Sequence, residues 1–135
     1  MDANLETCRR VGKGLVELDL SFLTNNASNP SLSTLRGVGT EMVDAITYST
    51  TGILIVTLKL SARCRYVVQK LVELEDLDSS DDGAYASAGP VNNEGSSTTK
   101  MNFKVYTRAA GGTKTNYSNR RVHVRLVLKN STVGV

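Results

Sequence analysis

Chemistry at neutral pH most often needs a histidine, a reactive thiol or a set of metal ligands, and this chain offers few of them. His123 is the only histidine, so any Ser/His/Asp or Cys/His arrangement would have to use it. By alternation it shares a strand face with Arg121 and Arg125, which disfavour a positive imidazole, and no carboxylate is placed nearby to orient the ring. A solvated strand histidine is the expectation. Cys8 and Cys64 are the two cysteines, with no C-x-x-C pair, and free thiols are expected. One histidine and two distant cysteines do not supply four zinc ligands. Within the acidic run Asp76 to Gly83, the residues Asp78, Ser80, Asp82 and Gly83 match the first half of a calcium loop. Position twelve is Gly89, where a bidentate Glu belongs, so the run reads as a solvated acidic loop. Gly12-Lys13-Gly14 and Gly37-Val38-Gly39 lack the rest of a phosphate loop and read as turn glycines. No enzyme, cofactor or metal is expected.

These residues must sit on something, and 135 residues with 40% apolar and 21% charged content fit one globular domain. No apolar run approaches the length of a membrane span. Met1 to Glu6 lacks the basic and apolar segments of a secretory signal, so synthesis in the cytoplasm is expected. The net charge of +3 hides a strong asymmetry. Residues 60–95 hold three bases against seven acids, while residues 96–135 hold eight bases and no acid. Such a basic end attracts an acidic surface, which could be nucleic acid or protein. Only Phe103, Tyr106 and Tyr117 lie in that block, few for base stacking, so nucleic acid is the weaker reading.

The period along the chain is two, the mark of strands with one buried face. Val16, Leu18, Leu20 and Phe22 alternate with polar residues and predict a strand, closed by the turn cluster Asn25 to Ser31. Glu41–Ser49 and Ile53–Leu60 predict a hairpin whose second strand, apolar on both faces, is central in its sheet. Tyr66–Leu77 reads as a strand, although its spacing also suits a helix. Residues 78–99 read as one long polar excursion, mobile or functional. Met101–Thr107 and Val122–Leu128, joined by a turn over Ala109–Asn119, predict a second, basic hairpin. Half a dozen such strands must cover their apolar faces. The expected fold is all-β, an antiparallel β-sandwich or jelly-roll-like barrel with long loops and extended termini. Its parts would be an arm over 1–13, a β domain over 14–130 and a tail over 131–135.

The segment Leu35-Arg36-Gly37-Val38-Gly39 through Ala45-Ile46-Thr47-Tyr48-Ser49-Thr50-Thr51-Gly52-Ile53-Leu54-Ile55-Val56-Thr57-Leu58 resembles a pattern in short virion proteins of tailed bacteriophages. The chain departs from it at Leu54, where an aromatic is usual, and over Ser61–Tyr66. The resemblance implies a head decoration, or cement, protein: a homo-oligomer, trimer favoured, seated on the major capsid protein lattice of the virion. Its contacts would come from edge strands and arms, and the expected partner-binding residues are Arg9, Arg10, Lys13, Arg120, Arg121, Arg125 and Lys129. Two other readings stay open. One is a tail or baseplate adhesin binding a glycan through the 78–99 loop. The other, weaker, is nucleic-acid binding through Arg121 and Arg125.

Overall fold

The structure is a computed structural model that describes residues 9–12, 14–61, 64–75 and 82–130. Nine strands occur among the described residues: β1 (Arg9–Gly12), β2 (Leu15–Asn25), β3 (Arg36–Val38), β4 (Val43–Thr50), β5 (Ile53–Leu58), β6 (Tyr66–Leu74), β7 (Tyr85–Asn92), β8 (Asn102–Arg108) and β9 (Ser118–Lys129). Two antiparallel sheets pack face to face. In the first the order is β1-β2-β9-β6, with β3 also pairing β2; in the second it is β4-β5-β8-β7. β1 and β3 share one edge of β2, because β1 pairs residues 15–17 and β3 pairs residues 19–21. The sandwich expectation holds, and the barrel alternative does not. β6 and β7 meet at one side without a ladder, joined instead by Lys70 Nζ donating to Gly89 O and by the Val67 amide donating to Glu94 Oε2 (3.1 Å).

Alternation explains the core directly. Val16, Leu18, Leu20 and Phe22 of β2 and Val122, Val124, Leu126 and Leu128 of β9 point inward from the first sheet, all buried. They meet Ile46, Leu54, Val56, Leu58, Phe103 and Val105 from the second. Each such side chain removed from water contributes about 1.5–3 kcal/mol before entropy is counted. Two buried threonines at the ends of this core are satisfied: Thr107 Oγ1 donates to Thr115 O (2.7 Å), and Thr24 Oγ1 accepts from the Arg120 amide (3.0 Å). The outer edge of β4 is blunted, since Asn29 Oδ1 accepts the Tyr48 amide at 2.7 Å.

The β4–β5 hairpin, the central place of β5 and the strand over Tyr66–Leu74 follow the sequence expectation. Two expectations fail. β8 and β9 are not a hairpin: β8 pairs β5 and β7 in the second sheet, while β9 pairs β2 and β6 in the first. Both strands are central and apolar on one face, so the connection over 109–117 crosses from one sheet to the other instead of folding a strand back on its neighbour. The 78–99 excursion is not one loop either. Tyr85–Asn92 is an edge strand whose half-buried Ala86, Ala88 and Val91 pack against the core. Its Gly89 and Pro90 fall where the register with β8 shifts, the edge position at which proline is tolerated. Of the arm expected over 1–13, Arg9–Gly12 is paired to β2, with Arg9 opposite Glu17; residues 1–8 and Lys13 lie outside the described residues, as does the tail.

Candidate protein-docking faces

The described basic residues expected to bind a partner lie on β1 and β9 of the first sheet, but not on one face of it. Arg120 shares the inward parity of Val122 and is buried at the end of the sandwich. Its guanidinium holds Asp82 with two contacts (3.3 and 2.9 Å) and stacks 4.9 Å from the Tyr117 ring. That pairing and the Ala84 amide hold the Asp82 carboxyl below the usual carboxylate range, the amide being the larger cause. Arg121 donates to Ser21 Oγ (3.0 Å) and to Thr34 O (3.3 Å). Arg125 binds the buried Glu17 carboxylate and lies 3.7 Å from Asp19. Lys129 is buried, and its Nζ has no hydrogen-bond partner among the described residues. Arg9 and Arg10 fall on β1, and Lys13 lies outside the described residues. The expected patch is therefore not one surface: Arg120 and Lys129 are buried, while Arg121 and Arg125 lie on the outer face with their guanidinium groups bound within the chain.

Other bases from the same forty-residue end do come together. On β8, Phe103, Val105 and Thr107 point inward, so Lys104, Tyr106 and Arg108 point out from the second sheet. The Arg108 guanidinium lies 5.2 Å and the Lys114 ammonium 5.0 Å from the centre of the Tyr106 ring. Lys114 is fixed there by backbone: it bridges Arg108, and the Thr115 amide donates to Thr107 O at 3.0 Å. The Tyr106 ring lies across Gly89, where an added Cβ would sit 2.8 Å from its Cε2. Beside this row, β5 presents half-buried Ile53 and Ile55 directly opposite Tyr106 and Lys104. Lys104, Arg108 and Lys114 make no ion pair among the described residues. Asp44, at this sheet's margin, is taken by Lys100 (3.0 Å). The outcome is a pleated face with a line of cations, without acidic partners among the described residues, beside an apolar strip.

The outer face of the first sheet is different. A groove of about 480 Å³ is lined by Asp19, Ser21, Arg36, Leu71, His123 and Arg125 with their neighbours. One cross-strand row of it reads Arg36, Ser21, His123, Glu73 from β3 to β6. The next outward-facing row reads Val38, Asp19, Arg125, Leu71. His123 does meet a carboxylate, contrary to expectation: its Nε2 is 3.0 Å from Glu75 Oε2, on the exposed surface. Sequence proximity could not reveal it, because the partner lies 48 positions away. Ser21 Oγ is occupied by Arg121 rather than by His123. Among the described residues no group of three metal-ligating side chains occurs.

Lys104, Arg108 and Lys114 were not singled out by sequence reasoning. The signal was present in the alternation of Lys104, Tyr106 and Arg108 with Phe103, Val105 and Thr107, which places two cations on one wet face without an acid. Comparison of the chain with protein-family models, curated proteins and solved structures finds no match.

Proposed function

We propose that this protein is a non-enzymatic decoration, or cement, protein of a tailed-phage head. It docks the outer face of its second sheet on an acidic surface of the major capsid protein lattice. The observation that carries the reading is the line Lys104, Arg108 and Lys114 around Tyr106, without an ion pair among the described residues and flanked by Ile53 and Ile55. Long-range attraction from three cations steers encounter, and the rigid aromatic and aliphatic side chains supply apolar contact area at small entropic cost. The capsid as the acidic partner rests on the resemblance of Leu35 to Leu58 to virion proteins. The glycan-binding alternative depended on a free 78–99 loop, much of which is the paired strand β7.

The test is add-back to expanded capsids that lack the protein. The wild-type chain is expected to co-sediment with them and to raise the temperature at which they break open, with binding that weakens as salt rises. The variant Lys104→Glu/Arg108→Glu/Lys114→Glu is expected to lose about a hundredfold or more in affinity, from three surface contacts of about 1 kcal/mol each turned repulsive. Capsids that neither bind the wild-type protein nor gain heat resistance from it would overturn the proposal.

A further inference from the structure

The two rows on the outer face of the first sheet have an order that composition does not require. Read from β3 to β6 they are cation, hydroxyl, imidazole, anion (Arg36, Ser21, His123, Glu73) and apolar, anion, cation, apolar (Val38, Asp19, Arg125, Leu71). Each row, reversed, is the chemical complement of itself. A two-fold axis lying in the face, parallel to the strands and between β2 and β9, brings each row against its own reverse. Arg36 then faces Glu73 of the second copy, Val38 faces Leu71, and Asp19 faces Arg125. Symmetry makes every one of these contacts twice.

Local features agree. Arg36 and Glu73 are both exposed and have no ion-pair partner among the described residues, although they end the same row about 14 Å apart, three strand spacings. Leu71 is 48% exposed on the edge strand β6, at the opposite end of its row from Val38. The floor of the groove is already satisfied by Arg121 on Ser21, Glu75 on His123 and Glu17 with Asp19 on Arg125. The side chains left to recruit a partner are therefore the ones at its walls.

We infer that the outer face of the β1-β2-β9-β6 sheet, with β3, is an isologous docking surface for a second copy of this chain. The walls Arg36 and Glu73 make reciprocal ion pairs, and Leu71 packs on Val38. This contact uses the face opposite the proposed capsid-docking face, so both can be made at once and each can fail without the other. The few side chains involved place it among small interfaces, so association is expected at tens of micromolar or above.

Sedimentation equilibrium of the full chain at about 100 µM provides the test, read as a mass rising from one 14.6 kDa chain to two. Arg36→Glu alone and Glu73→Arg alone each set like charges against each other at both contacts, and each is expected to weaken association by about a hundredfold or more. Mixing the two variants in equal amounts restores it, because each introduced carboxylate then meets an introduced guanidinium while each remaining Arg36 meets a remaining Glu73. The double variant Arg36→Glu/Glu73→Arg restores association by itself. Both sites are exposed, and thermal melts matching the wild type establish that the single variants are folded. A wild-type chain that stays monomeric, a mass of three chains, single variants that associate like the wild type, or folded variants that fail to associate when mixed would each overturn the inference.

Discussion

Replacing Gly37 by alanine should detach β3 from the first sheet, and a second glycine separates the two reasons why. At Gly37 the backbone has φ +116°, and an added Cβ would lie 2.0 Å from Asp19 O, 3.0 Å from its carbonyl carbon and 3.3 Å from the Leu20 Cα. All three are backbone atoms of the neighbouring strand, so no side-chain rotation relieves the clash. Gly14 has φ +73° with no described atom within 4 Å of the added Cβ, so alanine there meets backbone strain without a clash against the described residues. Gly14→Ala is expected to cost about 1 kcal/mol. Gly37→Ala adds the separation of the three-residue pairing Asp19–Val38, Leu20–Gly37 and Ser21–Arg36. Two or three ladder hydrogen bonds at about 1 kcal/mol each raise its total to about 3–4 kcal/mol. Urea unfolding measures both costs, and hydrogen exchange of the β2 and β3 amides locates them. Melting midpoints should fall by about 4 °C and about 12 °C respectively. If Gly37→Ala cost no more than Gly14→Ala, with β3 amides still protected, the close approach of β3 to β2 would be refuted.

Two further outcomes follow from individual side chains. The Asp82 carboxyl is held below its ordinary value by the Ala84 amide and Arg120, so its stabilising contribution is present above the ordinary carboxylate pKa of about 3.9 and lost as pH falls through the lowered value. Thermal melts of Asp82→Asn should therefore lie below wild type from pH 7 to 5 and converge with it in stronger acid; a gap independent of pH would contradict this. Lys129 is buried and its Nζ has no hydrogen-bond partner among the described residues, so Lys129→Met, similar in length and apolar, should raise the urea midpoint by the equivalent of about 1 kcal/mol or more. A lowered midpoint would count against it.

Alternation tells which side of a strand is buried, and β2, β4, β5 and β6 were legible for that reason. It does not tell which sheet a strand joins. The pairings of β8 and β9 were misread because two adjacent, similarly patterned strands look like a hairpin whether they pair or pack. β7 was hidden by its composition, since Ala, Ser and Gly fill an edge strand whose inward positions, close to the other sheet, take small side chains. Charges misled in a related way. Glu17 alternates with buried residues and reads as wet, yet it is 1% exposed and bound by Arg125, a partner 108 positions away. Asp82 and Arg120 stand 38 apart. Counting bases along the chain could not reveal which had been neutralised by such distant acids. Arg120 was the exception: its shared parity with Val122 and Val124 already pointed it inward.

The pairing of β2 with β9 makes biosynthesis of this fold a matter of waiting. β2 leaves the ribosome roughly a hundred residues before the strand that covers its long edge, at about 5–20 residues per second. In the interval Leu18, Leu20 and Phe22 have no settled partner, and hairpins such as β4–β5 can close while the first sheet cannot. Folding of the sandwich is therefore completed only after β9 has cleared the exit tunnel, and a chain cut short before Ser118 strands an adhesive ribbon rather than a smaller domain.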